Sequence, residues 1–165
     1  MRNIIVSLFV VSLLGAGCFS APVPAPAPVP VPPTTTAPAG HPPVVSMTVG
    51  SETYPGLEGS YCYGGTCVDK IGPSALVMES GLAFKDVSRN AEAMFTVGGD
   101  IFEFGITMSD ASGTDLGFRI PPSFRGGKYI VKIPNASGHV LLMANVRFGK
   151  SGGEDVQYIF PLNVR

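Results

Sequence analysis

The sequence predicts an all-β fold, a small antiparallel β-sandwich, and three observations point to it. Only 14% of residues are charged while glycine and proline number 21 and 16, a balance that suits strands and turns better than helices. Apolar residues recur with period two near the C-terminus, the spacing of strands with one face in a core. Glycine- or proline-bearing turns punctuate the last 120 or so residues, and no stretch there has sustained helical periodicity. At 165 residues the chain has room for one domain and its appendages.

The strand pattern is clearest at the end. Val156, Tyr158, Phe160, Leu162 and Val164 alternate with Gln157, Ile159, Pro161, Asn163 and Arg165. The first set belongs to a core and the second to solvent, and Pro161 on the outer set argues for an edge strand or a bulge. Val140, Leu142, Ala144, Val146 and Phe148 make a second such face, and the intervening GKSGGED makes the two strands a hairpin. Earlier, Val44–Val49 opens the domain. Ala91–Val97 and Ile101–Met108 flank GGD, again a hairpin signal, with Phe102, Phe104, Ile106 and Met108 expected on one face. Leu116–Ile120 stops at Pro121-Pro122, and Tyr129–Ile133 stops at PNASG. GPSALVMESG allows one short turn of helix. The total is eight or nine strands, in the broad sense an immunoglobulin-like sandwich, with a barrel as the alternative.

The N-terminal 43 residues read differently. Arg2 is followed by an apolar run, Ile4 to Leu14, and then by Gly15-Ala16-Gly17. The run is short for roughly 30 Å of hydrocarbon, so export is expected rather than a retained span. Ala21 to Pro43 is a proline-rich stretch, APVPAPAPVPVPPTTTAPAGHPP, with neither the donors nor the φ freedom for helix or paired strand. Polyproline II at about 3.1 Å per residue makes it a semi-rigid arm of roughly 70 Å. A stalk is the favoured role over a ligand for SH3-like grooves, and Thr34, Thr35 and Thr36 are compositional candidates for O-glycans. The expected organisation is therefore a signal peptide at 1–17, a linker at 18–43 and a β-sandwich at 44–165.

LLGAGC, ending at Cys18, resembles the lipobox of bacterial lipoprotein signal peptides, with Ala16 and Gly17 before the cysteine. Gly15 stands where that pattern usually has leucine, and Leu14 sits one place earlier. The resemblance implies that Cys18 is the new N-terminus and carries diacylglycerol and palmitate-type acyl chains. The protein would then be tethered to the cell membrane or outer envelope surface, on the extracytoplasmic side, with the membrane as one partner.

Cys62 and Cys67 lie in SYCYGGTCVDK. Gly64-Gly65 suits the two positive-φ positions of a type I′ turn, which makes Tyr63 and Thr66 the closing pair and Cys62 and Cys67 the next facing pair, close enough for a disulfide. An oxidising compartment favours the bond. A redox centre fits less well: the spacing is not Cys-x-x-Cys and no helix N-terminus adjoins it. Zinc would need two ligands besides the cysteines; only His41 and His139 are there to supply them, and His41 lies in the arm. The hairpin would fix register and present Tyr61 and Tyr63, with Asp69 just beyond, as candidate binding residues.

The same stretch resembles a motif of bacterial surface lipoproteins that have no assigned activity: a Tyr-Cys-Trp hairpin, a returning Cys-Val-Asp and a closing strand with Tyr-x-Phe. Gly59, Tyr61, Cys62, Cys67, Val68, Asp69, Tyr158 and Phe160 carry it, and Tyr63 replaces the tryptophan. The resemblance implies location and fold, not an activity.

A net charge of −1 offers no basic field for nucleic acid, and none is expected as a partner. DASGTD, Asp110 to Asp115, lacks the spacing of a calcium loop and reads as a turn built by Asp and Ser side chains. Asn135-Ala-Ser reads as a turn. One histidine in the domain leaves few triad combinations, so no catalytic residue, metal or cofactor is expected. The resulting reading is a non-enzymatic binding or structural module for an unidentified envelope ligand or protein. An envelope enzyme or thiol-redox protein, and an accessory subunit of an envelope complex, are the alternatives.

Overall fold

A computed structural model of the chain describes residues 40–165. The expected signal peptide, Cys18 and the expected linker as far as Ala39 lie outside the described residues. What is described is an antiparallel β-sandwich of twelve strands and one helix.

One sheet holds β1 (Val45–Val49), β2 (Glu52–Pro55), β6 (Glu92–Val97), β9 (Ser123–Arg125) and β10 (Lys128–Lys132), in the order β2-β1-β6-β10-β9. The other holds β3 (Leu57–Tyr63), β4 (Thr66–Val68), β7 (Ile101–Asp110), β8 (Asp115–Ile120), β11 (Gly138–Phe148) and β12 (Glu154–Val164). Its order is β4-β3-β12-β11-β7-β8, and β5 (Lys85–Val87) adds in parallel alongside β12. The expected terminal hairpin is present, with Val146 opposite Val156 and Leu142 opposite Phe160.

Between the sheets lie Val45 and Met47 of β1, Phe95 of β6, Val131 of β10, and Phe104, Ile106 and Met108 of β7. They meet the alternating sets of β11 and β12. Phe95 is the hub, its ring centroid 5.4 Å from those of both Phe104 and Phe160. Gly56 is the corner where the chain passes from the first sheet to the second. Its amide donates to Val45 O at 2.8 Å, and a Cβ there would stand 2.8 Å from the Phe160 ring, so no larger residue fits.

Four expectations are corrected. GGD is not a hairpin: β6 and β7 belong to different sheets, and the glycines carry the chain across the sandwich. Phe102 does not share the inner face of Phe104, Ile106 and Met108. A bulge shifts the register so that Arg147 opposes Glu103 but Phe148 opposes Ile101, and Phe102 turns out to solvent at 53% exposure. Pro161 is neither exposed nor on an edge. It is buried in the central strand β12, opposite Leu141. On its other side β12 pairs with β3 only as far as Ile159 and with β5 only from Leu162. Pro161 falls in that break, where a missing amide donor forfeits no pairing on that side.

The fourth correction concerns the same outer face of the sheet. GPSALVMESG forms two turns of helix, α1 (Pro73–Ser80), with proline in the first turn and Gly81 in the left-handed conformation at the C-terminus. Eight residues are too few to be stable alone. The helix is held by packing, with Val77 against Leu141 and Ile159 and with Leu57, Leu76, Phe84 and Met143 around them. The outer face of the second sheet is therefore half roofed, and Ile159 is as buried as Phe160.

The packed body also begins before Val44. Pro42 is buried, and the Tyr158 hydroxyl donates to the carbonyl of Pro43. Burial, with a contribution from Glu58, raises the phenol of Tyr158 above its ordinary range.

Candidate functional site

The disulfide hairpin is built as its sequence implies. Gly64 and Gly65 have φ of 59° and 79°, Tyr63 opposes Thr66, and Cys62 opposes Cys67. The two cysteines are disulfide-bonded with Cα atoms 4.0 Å apart. A further tie fixes the turn, from the Gly64 amide to Glu154 Oε1 at 3.0 Å.

Tyr61 and Tyr63 are half-buried and packed against the core at this end of the sandwich. Tyr63 meets Phe148 edge-on at 5.4 Å. Tyr61 has the Lys70 ammonium 5.9 Å from its ring centre and the His41 ring 6.1 Å away. Lys70 Nζ donates at 2.9 Å to both the carbonyl and the carboxylate of Glu58, and His41 Nε2 lies 3.5 Å from the other carboxylate oxygen. His41, assigned to the arm by composition, thus packs on the folded body. Asp69 is separated from the tyrosines. Its carboxylate accepts from Ser60 Oγ at 3.1 Å, and that hydroxyl accepts from the Lys70 amide at 2.9 Å.

Ser60 leads to a feature the sequence did not single out. The half of the outer face that α1 leaves bare carries a row of polar side chains, with Ile120, Pro121 and Pro122 at its β8 end. Along β11 the outward residues run from Leu141 and Met143, under the helix, to Asn145 and Arg147 in the open. Along β12 they run from Pro161 and Ile159 to Gln157 and Asp155. Thr107 and Gly105 of β7 and Arg119 of β8 continue the surface. Two concavities of about 300 and 390 Å³ share Asn145 as a common wall and form one shallow trough across the strands. Its centre is an uncharged row. Gln157 Nε2 donates to Asn145 Oδ1 at 3.3 Å, and Asn145 Nδ2 donates to Thr107 Oγ1 at 3.4 Å.

Charges stand at the ends of the trough and are mostly spent on each other. Arg147 Nη1 meets Glu103 Oε2 at 3.2 Å while its Nε donates to Gly152 O at 2.9 Å, and Arg119 lies 3.6 Å from Asp115. Asp155 is cross-strand neighbour to Arg147 in register, but no ion pair joins them. The signal for this row was present in the sequence as the polar half of a period-two pattern. Nothing in it could show that the other half was roofed.

The remaining candidates have local roles. His139 stacks on Phe84 with ring centres 4.2 Å apart. Asp110 caps its own loop, accepting from the Ser112 amide and hydroxyl and the Thr114 amide, and these bonds lower its pKa. A small apolar cavity of about 60 Å³ lies among Met47, Tyr54, Leu82, Phe160 and Leu162, with Lys85 Nζ 5.7 Å from the centre of the Tyr54 ring. Among the described residues no helix is long and apolar enough to cross a membrane.

Fold and surface together define an all-β sandwich with a disulfide-pinned hairpin and one open polar face. Comparison with protein-family models, curated proteins and solved structures finds no match to this chain.

Proposed function

We propose that the chain is an extracytoplasmic lipoprotein whose sandwich is a non-enzymatic binding module. Cys18 carries the acyl anchor, the proline-rich arm projects the domain from the lipid surface, and the trough between Ser60 and Arg119 is the recognition face. The observation that carries the binding reading is the uneven outer face of the second sheet. One half is sealed by α1, while the other presents a continuous row of hydrogen-bonding side chains in a concavity. The Cys62–Cys67 bond suits an oxidising compartment, and the lipobox-like Leu14 to Cys18 supplies a membrane anchor.

Expression in a bacterial host with labelled palmitate tests the anchor. Label is expected in the wild-type chain, which sediments with membranes, and not in Cys18→Ser, which is not cleaved at that site. Mass spectrometry showing residue 18 bare, or the leader retained on wild type, overturns it. Chemical crosslinking of the anchored protein in intact cells tests the recognition face. A crosslinked species lost in the Asn145→Ala/Gln157→Ala double variant supports the reading, and one that survives that change removes the trough from it.

A further inference from the structure

The trough's own chemistry narrows what it can hold. Arg147 and Arg119 are offset by the neighbouring Glu103 and Asp115, and Asp155 adds a further negative charge, so the row holds no net positive charge for an anionic ligand. This argues against phosphate-rich polymers and anionic lipid head groups. On the Gln157 side the lining is short of large apolar side chains turned into the open, since Val146 and Val156 face the core, which argues against an apolar peptide anchor there; the Arg119 side is more apolar, with Ile120, Pro121 and Pro122 on its wall.

What the row from Ser60 through Gln157 and Asn145 to Thr107 does offer is a hydrogen-bonding side chain on each successive strand. The Gln157 and Asn145 amides and the Thr107 and Ser60 hydroxyls each retain hydrogen-bonding capacity after their internal bonds. Their mutual bonds, at 3.3 and 3.4 Å, are long and weakly committed. The Asp155 carboxylate, free of an ion pair, supplies two acceptor oxygens a short distance apart, the arrangement that vicinal hydroxyls satisfy. Groups that both donate and accept, spaced closely and without charge, are what a sugar presents.

Shape adds that the ligand is a chain. The two concavities adjoin at Asn145 and cross from β12 to β8, about 14 Å at the usual strand spacing. Gly105 keeps the floor low: a Cβ added there would meet nothing closer than the Asn145 carbonyl at 4.0 Å. We infer that this trough binds an uncharged oligosaccharide segment, with Asp155, Asn145 and Gln157 holding one ring and the Gly105–Arg119 side holding the next. The inference rests on the trough being the recognition face.

The test uses the full-length processed protein on an array of soluble neutral oligosaccharides derived from starch, cellulose, chitin, mannan and galactan. Polygalacturonate and hyaluronate serve as anionic counterparts, and a library of extended peptides is included. At least one neutral series is expected to bind, with affinity insensitive to salt and rising from one ring to a short chain. Asn145→Ala/Gln157→Ala is expected to weaken it about tenfold. Gly105→Val, a residue that suits a strand at a position with room for a Cβ, fills the floor and is expected to remove the gain from chain length. Lys132→Ala, on the first sheet, is expected to change nothing, and thermal melting establishes that all variants fold. Binding only to peptides or anionic polymers, lost in the double variant, overturns the sugar assignment but leaves the trough as recognition face. Neutral-sugar binding unaffected by the double variant overturns the trough itself. No binding to any probe overturns the inference.

Discussion

Replacing Leu141 by alanine separates a roofed sheet from an ordinary sandwich. Leu141 and Leu142 are adjacent on β11, point to opposite faces and are both 0% exposed. Leu142 lies in the main core, where its neighbours cannot readily close over a void, and Leu142→Ala should cost about 3–5 kcal/mol. Leu141 lies beneath α1 with Val77 and Ile159, ringed by partly buried side chains that can settle inward. The expected loss for Leu141→Ala is therefore nearer the transfer value, about 2–3 kcal/mol. At about 4 °C per kcal/mol for a domain of this size, that is a fall in Tm of about 8–12 °C. Chemical denaturation and calorimetry on both variants measure it, and hydrogen exchange should show amides of α1 opening first in Leu141→Ala. If β11 turned one face to water, as simple alternation implies, Leu141→Ala would cost less than about 0.5 kcal/mol. That result would refute the packing of α1 on this sheet.

Two further outcomes are expected. Replacing Cys62 and Cys67 together by serine opens a small ring, with a sequence separation of 5, and should lower stability by about 2 kcal/mol without loss of fold. A fall in Tm of about 8 °C in wild type on adding reductant, absent in the double variant, checks it. Tyr158 holds its proton more tightly when folded than when unfolded, because burial penalises the phenolate. Its contribution is thus complete below the unfolded value near pH 10 and declines as pH rises past it. Tyr158→Phe should be less stable than wild type at pH 7, by about 1 kcal/mol for the lost bond to Pro43. The gap should narrow in denaturation curves above pH 10, and a gap constant from pH 7 to 11 would contradict the account.

The strands were legible because their evidence is local. Period two along Val140–Phe148 and Val156–Val164 names the inner face, and the turn between them names the hairpin. The Gly64-Gly65 turn likewise specifies the cysteine pairing within a few residues, since backbone twist and positive φ decide it without help from elsewhere. The sequence by itself thus determined an all-β body, its last hairpin and its disulfide. The tertiary structure decided what no short window contains. GGD looks the same whether it returns a chain within one sheet or carries it to another; the partners β1 and β10 on one side and β8 and β11 on the other made it a crossing. Phe102 was turned out by a bulge that exists only because β11 lies alongside. Ile159 read as solvent-facing until a helix from residues 73–80 covered it, and Pro161 on the same face is buried too. That same cover divided the outer face and left Asn145 and Gln157 in a trough. A side chain's alternation fixes which way it points, but whether anything lies there to meet it depends on residues distant in the chain.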